Sequence, residues 1–295
     1  MFNTAKHIEN EIPKGGTGKL VSGIELSEAT VPVISVVTIN YNGGTTLEQT
    51  IQSVISQNYP AIDYIIMDGG SSDNSLEIIK KYNSILSYWQ SAPDGGISKA
   101  FNAGLEKTNG SWIGIINSDD WYEEGAFAAL AANFEKANVL YGAMRYWLNE
   151  QPDYIFEASH LLLSKEMTIN HPTTFVQRDW YFGDKAVGVF KPTFKYAMDY
   201  DLMLRLRAKG AKFHYIPQVL ANMRLNGASD AHWHKAYKEV LRAKLENNLP
   251  KSSAYTYYIS QVTRTFLSRT LRKLGLNNLV AWYRKRFSMI KKTQA

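Results

Sequence analysis

The chain has 295 residues, 45% hydrophobic and 13% aromatic, which supplies enough apolar material for a packed core and excludes global disorder. With no cysteine, a disulfide scaffold, a thiolate metal site and a cysteine nucleophile are excluded. The net charge of +6 is unevenly placed: residues 251–295 hold ten Lys/Arg and no Asp or Glu, which leaves 33 − 10 = 23 basic against 27 acidic groups before them. A nucleic-acid-binding fold would spread a basic face over its core, so no nucleic-acid partner is expected. No apolar run nears the roughly 20 residues of a membrane span. The polar first thirty residues, with Glu9 and Glu11, do not read as a secretory signal. The expected location is the cytoplasm, either free or peripheral on the inner face of the membrane.

Residues 1–30 read as an extension with little periodicity. Its segment Gly15-Gly16-Thr17-Gly18-Lys19-Leu20 fails as a phosphate-binding loop, because Pro13 replaces the first glycine and Leu20 the Ser/Thr. Val33–Asn40 predicts a strand buried on both faces. After Asn42-Gly43-Gly44 a helix is expected, capped by Thr45 or Thr46, with Leu47, Ile51, Val54 and Ile55 on one face and Pro60 as its stop. Asp63–Met67 predicts the next strand, ending at Asp68-Gly69-Gly70, followed by a helix through Leu76, Ile78 and Ile79 capped from Ser71–Ser75. Ser87–Gln90 predicts a short strand and Ile97–Leu105 a helix after Asp94-Gly95-Gly96. Trp112–Ile116 predicts a strand ending at Asn117-Ser118-Asp119-Asp120.

Further on, Val139–Trp147 predicts a strand and Asp199–Lys209 a helix closed by Gly210. Two strands are expected at Lys212–Ile216 and Val219–Leu225, and a basic helical region from about Asp230. The alternation implies an α/β fold with right-handed crossovers and a mainly parallel sheet flanked by helices. The division expected is an extension (1–30), a catalytic domain (31–228, with halves 31–125 and 126–228) and a helical C-terminal region (229–295).

Parallel strands place their carboxyl ends on one edge, where open sheets bind ligands. Tyr41, Asp68, Asp119 and Asp120 should therefore meet in one crevice. Asp68 also suits an Asx turn, and the aspartate pair a helix cap. Two adjacent carboxylates repel each other, however, and a divalent cation explains them better.

Over residues 34–125 the pattern ISVVTINYNGG, IIMDGGSSDNS, DGGISKAFNAGL and IGIINSDDWY resembles the family 2 glycosyltransferases, which have the GT-A fold. The segment HPTTFVQRDWYFGDKAVGVFKPTFKYAMDYDLMLRL resembles the acceptor-side region of bacterial members that build surface polysaccharides. The resemblance implies that Asn40 and Tyr41 line the base and ribose pocket and that Asp68 bonds the base. It implies that Asp119 and Asp120 form the DXD-type motif, Asp120 being the direct ligand of Mg²⁺ or Mn²⁺. Asn117 stands where relatives often have another aspartate, and is expected to face the donor. Lys99 would add a positive contact to the diphosphate, a solvated helix lysine being the alternative.

Asp199 matches the family's catalytic aspartate as general base, with Asp201 as fallback and Met198 where relatives carry Glu. His171 and Arg224 are candidate acceptor or phosphate contacts, Arg224 standing equally as a structural ion pair. His232 and His234 diverge on a helix and do not suit a zinc pair. The expected partners are a nucleotide-sugar donor and a glycan or lipid-linked glycan acceptor. The basic tail, with Phe266, Leu267, Leu274, Trp282 and Tyr283 among its Arg and Lys, suits either an anionic membrane surface or a solvated hairpin. Two rival readings are a sugar nucleotidyltransferase and a non-catalytic glycan-binding protein on this fold. Against the first, Asn42-Gly43-Gly44-Thr45-Thr46 has no Arg or Lys for a triphosphate; against the second, the acidic residues are intact.

Overall fold

The computed structural model describes residues 12–225, 232–276 and 292–294. Its elements in chain order begin with β1 (Lys14–Gly15), β2 (Ile34–Asn40), α1 (Leu47–Ile55), β3 (Ile62–Asp68), α2 (Ser75–Lys81) and β4 (Tyr88–Ser91). Next come α3 (Ile97–Leu105), β5 (Trp112–Asn117), β6 (Trp121–Tyr122), α4 (Ala126–Ala131), β7 (Val139–Leu148) and β8 (Gln151–Phe156). The chain continues through β9 (Thr174–Gln177), α5 (Asp179–Phe182), α6 (Met198–Ala208) and β10 (Phe213–Arg224). The last are α7 (Trp233–Glu246), α8 (Lys251–Lys273) and β11 (Lys292–Gln294).

The strands form one mixed sheet in the order β1-β4-β3-β2-β5-β9-β7-β10-β6, with β8 and β11 on an arm off β7. Strands β4, β3, β2 and β5 run parallel, as do β7 and β10. Between these two sets β9 lies antiparallel to both β5 and β7 and joins them. Every residue of β2 and β3 is buried, as their unbroken apolar runs require when helices cover both faces. Thr46 is the N-cap of α1 as expected, but its hydroxyl makes no cap bond and donates to Gly43 O instead.

Three expectations change. The two late strands are one, β10, whose register breaks between Ile216 and Val219 and again between Val219 and Ala221. Pro217 has no N–H to give the ladder, so the strand bulges around it and continues. The N-terminal extension is part of the sheet: Lys14–Gly15 pairs with β4, and Val21 N–H donates to Ile62 O at 2.8 Å. Gly16 has φ +109°, and a Cβ there would lie 2.6 Å from Ser87 O, so the glycines serve a tight strap over an edge strand. Finally, the C-terminal region is helical in α7 and α8 but not throughout, because Lys292–Gln294 pairs with β8.

The tail residues Leu279, Trp282, Tyr283, Arg284, Lys285, Arg286, Phe287 and Lys291 lie outside the described residues. On α8, Ala254 faces inward and Thr265 meets Tyr237, while Tyr255, Ile259 and Phe266 are exposed. Among the described residues no helix is long and apolar enough to cross a membrane.

Candidate active site

The parallel register sets Asn40 beside Asp68 and Ile39 beside Asn117, so the three strand ends share one edge. Asp68 is buried there and saturated. Its Oδ1 accepts from Asn40 Nδ2 at 2.7 Å and Ser71 Oγ at 2.5 Å. Its Oδ2 accepts from the N–H groups of Gly70 and Ser71 and from Ser91 Oγ, at 3.2, 3.0 and 2.6 Å. This carboxylate fastens the ends of β2, β3 and β4 together, which is the turn role that the sequence left open. The carboxylate with spare capacity beside it is Asp94, which sequence reasoning treated only as part of a loop. A Cβ on Gly69 would fall 2.8 Å from Asp94 Oδ2 and 3.3 Å from the Tyr41 ring, so Gly69 lets both approach the same strand end. Tyr41 itself is 69% exposed, an open ring face at the mouth of the crevice.

Asp119 and Asp120 diverge in environment. Asp119 is exposed, whereas Asp120 is 1% exposed, its backbone pinned by Thr50 Oγ1 donating to its carbonyl at 2.6 Å. Burial pushes the Asp120 carboxyl well above the usual range, and the neighbouring Asp119 charge pushes it further. Asn117 Nδ2 offers a long hydrogen bond to Asp120 Oδ2, at 3.4 Å. Such a desolvated, scarcely bonded carboxylate beside a second one has the donor chemistry that a hard divalent cation such as Mg²⁺ or Mn²⁺ would need. Among the described residues no group of three His, Asp or Glu gathers to hold a metal alone.

From the other half, the loop before β9 brings in His171. Its Nε2 lies 3.3 Å from Asn117 Nδ2 and its Nδ1 3.8 Å from Asp199 Oδ2. The acidic strand end and the first turn of α6 are therefore linked through Asn117 and His171 into one constellation. The Asp199 side chain is 26% exposed, its other oxygen accepting from Tyr200 N–H at 2.8 Å. Tyr146 on β7 lies among these groups. Its hydroxyl donates to Asn170 Oδ1 at 3.1 Å, and burial, with Tyr154 and the charges of Asp120 and Asp199 adding, makes the phenol a weaker acid than usual, its pKa pushed up. Nothing in the sequence marked Tyr146, since it reads as one more strand aromatic.

Arg224 ends β10 at the rim. It donates to Asp119 O at 2.7 Å and to Gln49 and Glu150, and lies 4.5 Å above Trp121, which is paired with Trp147. Lys99 sits in the first turn of α3 and, with Gly95, Gly96, Lys195 and Tyr196, lines a cleft of about 270 Å³ between the starts of α3 and α6. Asp201 is not part of the constellation. Its side chain is 0% exposed and held by Lys191 Nζ at 3.2 Å, Arg205 Nε at 2.8 Å and Asn247 Nδ2 at 3.0 Å. These three donors occupy its carboxylate, which faces away from His171 and Asp199.

The profile of Glycosyl transferase family 2 matches residues 35–191. The hyaluronan synthase of Pasteurella multocida is 30% identical over 207 residues, covering 67% of this chain but 21% of that protein. This chain thus spans about a fifth of that relative's length. The uncharacterized glycosyltransferase EpsJ of Bacillus subtilis is 25% identical over 236 residues, covering 70% of this chain and 68% of that one. In fold, the crystal structure of S. aureus TarS 1–349 in complex with UDP-GlcNAc superposes with a TM-score of 0.58 at 16% identity, covering 87% of this chain and 76% of that one. With more than half its length matched by the family profile, the chain belongs to glycosyl transferase family 2.

Proposed function

We propose that this chain is an inverting, metal-dependent glycosyltransferase that moves a sugar from a nucleotide-diphosphate donor to a glycan or lipid-linked glycan in bacterial surface polysaccharide synthesis. One observation carries the reading: carboxylates from the two halves of the chain meet, Asp119-Asp120 at one strand end and Asp199 across Asn117 and His171. Asn40, Tyr41 and Asp94 would hold the nucleoside, with Asp68 fixing the strand ends beneath it, and Asn117, Lys99 and Arg224 would face the phosphates. A divalent cation bound by Asp120 and Asp119 would neutralise charge growing on the diphosphate as it leaves. Asp199 takes the proton of the acceptor hydroxyl as its oxygen attacks the anomeric carbon from the face opposite the diphosphate. One C–O bond forms as the other breaks, so the configuration inverts. His171, between Asn117 and Asp199, orients both and meets the acceptor or a phosphate. A lipid-linked acceptor would bring the basic tail to an anionic membrane surface on the cytoplasmic side.

The test is a thermal-shift panel of nucleotide sugars with Mn²⁺, beginning with UDP-GlcNAc, the donor seen in the TarS complex. A donor at ~100-fold over its dissociation constant should stabilise by about 2.7 kcal/mol. Asp120→Ala should lose the metal-dependent part of that shift. Asp199→Asn should keep the shift and lose transfer. No shift with any nucleotide sugar would end the donor reading, and full transfer by Asp199→Asn would end the assignment of the base.

A further inference from the structure

Helix α6 carries Asp199 in its first turn but lacks a cap of its own. Its N-cap residue is Ala197, which has no side-chain oxygen, and the Asp199 carboxylate bonds only forward, to Tyr200 N–H. A helix start leaves N–H groups that need acceptors. Here a carboxylate from another helix takes the N-cap N–H and holds the two residues that lead into it. Glu239 on α7 accepts from Lys195 N–H at 2.9 and 3.1 Å, from Tyr196 N–H at 2.7 Å and from Ala197 N–H at 3.1 Å. Four charge-assisted bonds converge on a side chain 42 residues away from Ala197 in sequence.

A second tie lies two residues past Asp199. Asn247, at the end of α7, donates to the buried Asp201, and Lys191 bridges Asp201 to Glu246. Asp199 is thus clamped between two anchors, residues 195–197 and 201, both tied to α7. The reach of Asp199 towards His171 is set at 3.8 Å by a helix whose start has no local fixing.

We infer that Glu239 is the positioning residue for the general base: its carboxylate, docked on the N–H groups of residues 195–197 that lead into α6, sets where Asp199 stands. It touches no substrate. The inference rests on Asp199 being the base, and it makes α7 part of the catalytic apparatus. A misplacement of a reacting group by ~1 Å costs about 100-fold in rate, which bounds the expected effect.

The experiment has two arms. Hydrogen exchange of the peptide spanning 195–203, read by mass spectrometry, should quicken in Glu239→Ala and, less so, in Glu239→Gln, with β2 and β3 unchanged. Unchanged exchange at 195–203 overturns the inference without any substrate. In the second arm, transfer is measured with UDP-GlcNAc or whichever donor the stabilisation panel selects. Glu239→Ala should lower kcat about 10- to 100-fold at unchanged donor KM, and Glu239→Gln should recover part of it. Combined with Asp199→Asn, Glu239→Ala should cost nothing more, because the residue acts only through that carboxylate. Independent, multiplying losses in the double variant would mark a plain structural cap and overturn the inference. Full transfer by Asp199→Asn alone would remove the base assignment and this inference with it, whereas changed exchange beside a failed donor panel would leave the Glu239 anchor standing and only the donor reading fallen.

Discussion

Asp120 is held against its own chemistry. Burial and the adjacent Asp119 favour its protonated form, so in the metal-free protein the folded state binds a proton that the unfolded chain releases in the ordinary carboxylate range. Linkage then makes stability fall as pH rises through and above that range, the group's contribution being fully present only below the unfolded value. Asp120→Asn should therefore raise the melting temperature at pH 8 in the absence of divalent ions and change it little at pH 4. At this chain length each 1 kcal/mol released is worth roughly 2–4 °C. A variant that melts lower than wild type at pH 8 would refute the account. The same residue shows why the carboxylate pair was readable in the sequence while Tyr146 and Asp94 were not. An adjacent Asp-Asp at a strand end is chemically conspicuous, whereas a lone tyrosine in a strand looks like any core aromatic until β7 is seen to run past both Asp120 and Asp199. Asp201 misled for the complementary reason. Two aspartates two residues apart point to different sides of a helix, and only tertiary packing reveals which faces the crevice.

Among the elements, the first half was legible because each parallel strand is an apolar run closed by polar or glycine residues. Ser87–Gln90 and Trp112–Ile116 fall within a residue or two of β4 and β5. The short strands β6, β8 and β9 were not anticipated. Their two to six residues carry no period of their own and exist because longer neighbours offer an edge. The two strands expected at Lys212–Ile216 and Val219–Leu225 are likewise one, because β10 bulges around Pro217 and continues.

The contact of α7 with α8 holds a testable strain. Lys244 is 1% exposed, donates to Lys165 O at 2.6 Å and lies 3.7 Å from the centre of the Tyr257 ring; burial pushes its amine down to about 8. Below pH 8 both folded and unfolded states hold the proton, and the folded state bears the whole desolvation cost. Between about 8 and 10.5 the unfolded chain alone keeps the proton, so stability rises with pH. Lys244→Met should therefore stabilise at pH 7, by up to ~3 kcal/mol less the lost hydrogen bond, and its advantage should shrink at pH 10. Urea unfolding at the two pH values checks this; an advantage that grows with pH would contradict it.

For the whole molecule, α7 is tied to the rest of the chain through α6 and the main core. The buried Ala243 belongs to the main core, Glu239 holds the residues leading into α6, and Asn247 bonds Asp201 on it. Cutting the chain after Leu225 should remove these contacts together and abolish cooperative folding, leaving a broad transition or none in calorimetry. The intact protein should melt in a single transition. A distinct early melting step confined to α7 would show instead that the helices dock only loosely.

Strand β9 spans four residues, and its ladders pair the parallel set that carries Asn117 with the set that carries Tyr146. His171 precedes it by three positions. A slip of one residue along β5 would rotate Phe175 out of the interior and drag the imidazole about 3.3 Å along the sheet. Neither Asn117 nor Asp199 would then be within its grasp, so the alignment of a single short ladder decides whether the two halves work as one machine.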